Sequence, residues 1–116
     1  MEWYLENLNT DYVDFLLLHR EDFLMDADSV AQTFRKFQRE GKVKYFGTSN
    51  FLPNTYALLD SRFPLVTNEI ELSVRNPAAI SDGTLSFHQQ SNTSVLAWGA
   101  LGGDAWVCKH CQEAKS

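Results

Sequence analysis

Hydrophobic residues recur along this chain in two alternating rhythms. Met1, Leu5 and Leu8 stand at i, i+4 and i+7, and Tyr4 and Leu8 are four apart. That is the period of a helix face. Nothing ahead of Met1 caps this helix, so the chain is expected to begin inside one. Asn9-Thr10-Asp11 breaks the pattern. Tyr12 to Leu18 is then apolar except for Asp14 and stops at His19-Arg20. A run of this kind between breakers predicts a strand buried on both faces. After an acidic loop, Glu21 to Asp28, Ser29 and Gln32 have the spacing of a capping box. Val30, Phe34 and Phe37 mark one face of the helix, and Gly41 is expected as the left-handed residue that ends it. Val43 to Thr48 predicts a second strand, closing on Ser49-Asn50. Pro53 suits the first turn of the next helix. Tyr56, Leu59 and Phe63 line its inner face, and Pro64 stops it. Leu65 to Leu72 predicts a third strand, and Asn76-Pro77 a turn. Asp82-Gly83-Thr84 opens a shorter helix with Leu85 and His88 on one side and Asn92 as its cap. Ser94 to Trp98 predicts a fourth strand before a glycine-rich run to Gly103.

Strand and helix thus alternate with a spacing of about 25–30 residues, room for a crossover between successive strands. No two-residue Asn-Gly or Asp-Gly link joins two strands, as hairpins would require. Helical crossovers predict an α/β fold of about four parallel strands in right-handed βαβ units. With 116 residues there is room for one domain, which buries roughly two-thirds of its unfolded surface. There is no room for a closed (β/α)₈ barrel, which takes about 250 residues and at the least about 200.

Charge narrows the choice of partners. Ten Lys and Arg against fifteen Asp and Glu give a net charge of −5, the wrong sign for nucleic acid. The scattered Arg35-Lys36, Arg39 and Lys42-Val43-Lys44 read as a solvated helix face. The longest apolar run, Phe15 to Leu18, is far from the roughly 20 residues that span a bilayer, so no membrane partner is expected. The first residues lack the pattern of a secretory signal. Both cysteines, Cys108 and Cys111, fall in the last nine residues, and a reduced, cytoplasmic chain is the expectation.

In a parallel α/β sheet, ligands gather at the carboxyl ends of the strands. His19 closes the first strand here, Ser49-Asn50 the second, and Trp98 the fourth, while Glu69 lies on the third. Each has a plain structural reading: a rim histidine, a helix cap, a core tryptophan. Their recurrence at one end of one predicted sheet is what makes a ligand site a real alternative.

Longer motifs carry a family resemblance. Thr10-Asp11-Tyr12-Val13-Asp14-Phe15-Leu16-Leu17-Leu18-His19 resembles the segment that leads to the active-site histidine of aldo-keto reductases. Gly41-Lys42-Val43-Lys44-Tyr45-Phe46-Gly47-Thr48-Ser49-Asn50-Phe51 is similar to that family's "GKVRxxGxSNF". Val66-Thr67-Asn68-Glu69-Ile70-Glu71 is similar to its "NQxE" strand, and Leu96-Ala97-Trp98-Gly99-Ala100-Leu101-Gly102-Gly103 to its "AWSPLGGG". The resemblance implies a partial (β/α)₈ barrel running from the third helix to the seventh strand, over residues 1–103. It implies NADPH as cofactor and an aldehyde or ketone as substrate. His19 would polarise the carbonyl where negative charge develops. Ser49, Asn50 and Glu69 would meet the nicotinamide carboxamide, Trp98 would stack on its ring, and Leu101 would belong to the same cofactor-binding set.

Three departures bear on these roles. Glu69 stands where the family usually has Gln, and an ionised carboxylate only accepts hydrogen bonds where an amide does both. Gly99-Ala100 replaces Ser-Pro. Leu52 replaces a capping Thr or Ser, a loss of roughly 1 kcal/mol. The family's Tyr, Lys and Asp, which deliver the proton, come from its first three strands, and Tyr4, Tyr12, Tyr45 and Tyr56 do not match that motif. Its eighth strand and basic 2′-phosphate segment have no counterpart here. The expectation is a chain inactive by itself. The alternative is a non-catalytic interaction module or truncated-gene remnant that self-associates, or pairs with a complementing fragment, through exposed sheet edges.

Residues 104–116 are expected to be an unrelated, disordered tail. Cys108-Lys109-His110-Cys111 has C-x-x-C spacing, but a tetrahedral zinc site needs four ligands that this stretch does not complete, so no metal is assigned. A truncated or frame-shifted reading frame would account for both the abrupt start and the tail.

Overall fold

A computed structural model of the chain describes residues 1–102; the Cys108–Cys111 segment lies outside them. The elements run α1 (Glu2–Leu8), β1 (Val13–Leu18), α2 (Ala27–Arg39), β2 (Val43–Ser49), α3 (Pro53–Asp60), β3 (Thr67–Glu71), α4 (Ala78–Ser81), α5 (Thr84–Gln90) and β4 (Ser94–Trp98). The strands form one sheet in the order β1-β2-β3-β4, and every pairing is parallel. Crossover helices between successive strands enforce this, as the alternation in the sequence predicts.

The ends of the elements follow local chemistry. Helix α2 begins two residues before Ser29. Asp26, not Ser29, is its N-cap, and its carboxylate accepts from the Asp28 amide at 3.1 Å and from Ser29 Oγ at 2.6 Å. A carboxylate is the stronger partner for the positive end of a helix, so the serine becomes a donor to the cap. At the other end Gly41 takes φ +68°. The Lys42 amide donates back to Phe37 O and the Gly41 amide to Gln38 O, both at 3.0 Å, the paired bonds of a Schellman motif. Helix α3 starts on Pro53 without a side-chain cap from Leu52. Asn92 takes the left-handed position just after Ser91, the C-cap of α5. The four-residue helix α4 follows Asn76-Pro77, where the sequence indicates only a turn. Strand β3 is shorter than Leu65–Leu72, because the Leu65 amide is held by the Asp60 carboxylate at 2.8 Å before the ladder begins.

The core lies between the helix-facing side of the sheet and α2 and α3. Ala31 and Phe34 from α2, Val43 and Phe46 from β2, and Tyr56 and Leu59 from α3 are buried there with Phe51, Phe63 and Leu65. Phe46 stacks on Phe34 at 4.2 Å between centroids, and Phe63 meets both rings edge-on.

The opposite face of the sheet is open. Phe15 is 55% exposed, and Tyr45 and Leu96 are also exposed. Together with Val66, Thr67 and Ser94 they line a hollow of about 380 Å³. Strand β1 is therefore not buried on both faces. It is an edge strand whose inner side chains are left uncovered among the described residues, while Val13, Leu16 and Leu18 pack against the core.

Candidate active site at the strand ends

Register brings the candidate residues together. Ser49 pairs with Glu69, and Glu69 with Leu96; one step further on, Glu71 pairs with Trp98. Strand residues alternate sides, so Ser49 and Glu69 face the open side while their neighbours Thr48 and Asn68 face the helices. Strand β2 stops where Asn50 turns left-handed at φ +58°. Asparagine tolerates that region better than most residues. Its amide donates to Glu69 O at 2.7 Å, which ties the turn to β3.

Four of the six sequence-predicted residues form one hydrogen-bonded cluster. Trp98 Nε1 donates to Asn50 Oδ1 at 2.9 Å, Asn50 Nδ2 to Ser49 Oγ at 3.0 Å, and Ser49 Oγ to Glu69 Oε2 at 3.1 Å. Ser49 is 2% exposed, whereas the Trp98 ring remains 40% exposed at the mouth of the sheet. His19 sits one residue past β1, exposed, at the same end of the sheet but outside this cluster among the described residues. Leu101 is not brought to the cluster either. It is 86% exposed and lines a separate hollow of about 260 Å³ with Val74, Arg75, Ala100 and Gly102.

A second, buried cluster underlies the first. Asn68 Oδ1 accepts from Thr48 Oγ1 at 2.9 Å and from the Phe51 amide at 3.4 Å. Its Nδ2 donates to Phe51 O at 2.9 Å and lies 3.1 Å from His88 Nε2. His88 Nδ1 is 2.8 Å from Thr93 Oγ1. The Asn68 amide thus has a partner for each of its four hydrogen-bonding positions. It clamps the chain on both sides of Ser49-Asn50. The nitrogen that faces an amide N–H must be the unprotonated one, so His88 is the neutral Nδ1–H tautomer. Burial pushes its pKa below the ordinary value. Burial likewise pushes the Tyr56 phenol, edge-on to His88 at 4.7 Å, up to about 12. Asn68 and Thr93 were not among the candidates from sequence. The available signal was an amide inside a strand at a position that must face the helices.

Parallel strands joined by helices, with polar side chains collected at their carboxyl ends, define a segment of a (β/α) barrel that carries part of a strand-end site. The sequence model of the Aldo/keto reductase family matches residues 1–114, and the chain belongs to that family. It is 50% identical over 101 residues to the oxidoreductase YdhF of Escherichia coli, covering 85% of this chain and 34% of that protein. It is 41% identical over 101 residues to a 6-dehydroglucose reductase of Agrobacterium fabrum, with 85% and 34% covered. An aldo/keto reductase from Klebsiella pneumoniae, solved in complex with NADP and acetate, superimposes with a TM-score of 0.74 at 28% identity. That match covers 84% of this chain and 35% of the other. The chain spans about a third of the length of the curated relatives it matches.

Proposed function

We propose that this chain carries the nicotinamide end of an NADPH site in an aldehyde or ketone reductase, and that it does not reduce carbonyls by itself. The observation that carries this is the Trp98–Asn50–Ser49–Glu69 cluster at the carboxyl ends of three adjacent strands. Its donor set fits a primary carboxamide. Asn50 uses one amide hydrogen on Ser49 and keeps a second for a carbonyl oxygen. Glu69 uses Oε2 on Ser49 and keeps Oε1 to accept from an amide nitrogen. The donor lost by having Glu in place of Gln is thus supplied next door. Trp98 offers an exposed ring face for stacking at the same mouth. The similarity to a reductase solved with NADP supports the same reading. A bound nicotinamide would supply the hydride. His19 would donate to the carbonyl oxygen where negative charge develops. Proton delivery needs an acid whose pKa is tuned by neighbours. Tyr56 does not serve, since it lies on the helix side of the sheet with its pKa pushed up.

Titrating the purified chain with NADPH, followed by tryptophan fluorescence, is expected to show saturable quenching at micromolar concentrations, abolished by Asn50→Ala. No aldehyde-dependent NADPH oxidation is expected. Absence of quenching would remove the half-site, and turnover lost in His19→Ala would overturn the inactivity.

The open face of the sheet, with Phe15, Tyr45 and Leu96 exposed on it, favours a second reading, association between copies of the chain.

A further inference from the structure

We propose that Glu69 is a positioning residue for Trp98, acting through a one-way hydrogen-bond relay across three strand ends. The two ends of the relay each have a single role. An indole N–H only donates, and an ionised carboxylate only accepts. The two middle members, the Ser49 hydroxyl and the Asn50 amide, can each run either way. With a pure donor at one end and a pure acceptor at the other, one arrangement satisfies every link. In it Trp98 donates to Asn50, Asn50 to Ser49, and Ser49 to Glu69.

Reversing the Asn50 amide would set its N–H against the indole N–H. Its oxygen would then face Ser49 Oγ, whose hydrogen is already on Glu69. Both links would be lost together, and Ser49, at 2% exposure, has little water to replace them. Glu69 also holds Asn50 by its main chain, accepting the amide of that left-handed residue at 2.7 Å. One residue of β3 therefore fixes the backbone of the β2 turn, the orientation of its side-chain amide and, through that amide, the edge of the indole. The result is an aromatic face held at a set angle over the open side of the sheet. Its use against a nicotinamide ring rests on the reading above, whereas the relay itself rests on the cluster alone.

The polarity of the relay gives it a specific test. The indole N–H of Trp98, assigned by its loss in Trp98→Phe, is followed by NMR hydrogen exchange in the isotope-labelled chain without any nucleotide. Its exchange is expected to be about fivefold or more slower than that of the exposed Trp3 indole, the protection one hydrogen bond confers. Glu69→Gln can still present an oxygen to Ser49 and should keep the protection. Glu69→Leu removes the acceptor and Glu69→Lys turns that end of the relay into a donor. Both should bring exchange towards the Trp3 rate, with far-UV circular dichroism showing that the fold persists. Protection that survives in Glu69→Leu, or that is lost in Glu69→Gln, would overturn the relay. If the lysine variant does not fold, the leucine and glutamine pair decides. Since no nucleotide is present, failure of the relay and failure of the cofactor reading are separate results.

Discussion

His88 is buried against Tyr56, and its ring nitrogens face Asn68 and Thr93. A proton added to Nε2 would point at the Asn68 amide hydrogens, so charging this ring breaks the clamp beneath Ser49-Asn50. Burial lowers its pKa from the ordinary 6.5. Well above that value the ring is neutral both folded and unfolded, and its contribution to stability is complete. As pH falls below 6.5 the unfolded chain binds the proton first, and stability drains away until the folded ring also protonates. The melting temperature of the chain is therefore expected to fall between pH 7 and pH 5. The drop should be smaller in His88→Gln, which keeps an amide in the pocket but does not titrate. Equal drops in the two proteins would show that His88 is not the group responsible.

Strand β2 joins the site to the core, and Gly47 is where it makes room. A Cβ at this position would lie 2.6 Å from Thr67 O and 2.7 Å from Leu17 Cδ2, closer than real side chains approach. The glycine is needed for close packing of Leu17 and Thr67 on either side of β2, not for an unusual φ. Gly47→Ala is expected to cost about 1–3 kcal/mol, the typical penalty of overpacking, read from a urea melt. Because Gly47 lies two residues before Ser49 in the register that sets Ser49 against Glu69, the same variant should also weaken NADPH quenching. An unchanged denaturation midpoint would mean that the strands part at no cost there. The ends of α2 and β3 show the limit of local pattern. Ser29 has capping-box spacing, but the buried face already begins at Ala27, so the Asp26 carboxylate just before it takes the cap.

On the scale of the whole molecule, helices cover one side of the sheet, and among the described residues the other side is open. Strands β1 and β4 are both edges, and Phe15, Tyr45 and Leu96 are exposed beside them. Unpaired parallel edges next to an apolar face favour association. A second copy of this chain brings the same two edge strands and the same hollow, so like faces bury one another. Sedimentation is expected to show a mass that rises with concentration, and Leu96→Lys, which places a charge in the hollow, should shift it towards the monomer. A monomer at all concentrations would remove this reading. Among the described residues no helix is long and apolar enough to cross a membrane.

The sequence by itself determined the alternation of strands and helices, their parallel order and the family, because those follow from period and from motifs held in consecutive residues. It also determined which residue types stand at the strand ends. Only the tertiary structure decided which of them meet. Ser49, Asn50, Glu69 and Trp98 are joined by strand register, which depends on pairings twenty or more residues apart, while His19 and Leu101 lie outside their cluster for the same reason. Burial was decided there as well. The Tyr12–Leu18 run has the composition of a strand covered on both sides, and what covers a strand is set by its neighbours in space. The Asn68–His88 clamp was hidden in the same way, since its members come from β3 and α5 and find one another only once α5 packs against the sheet.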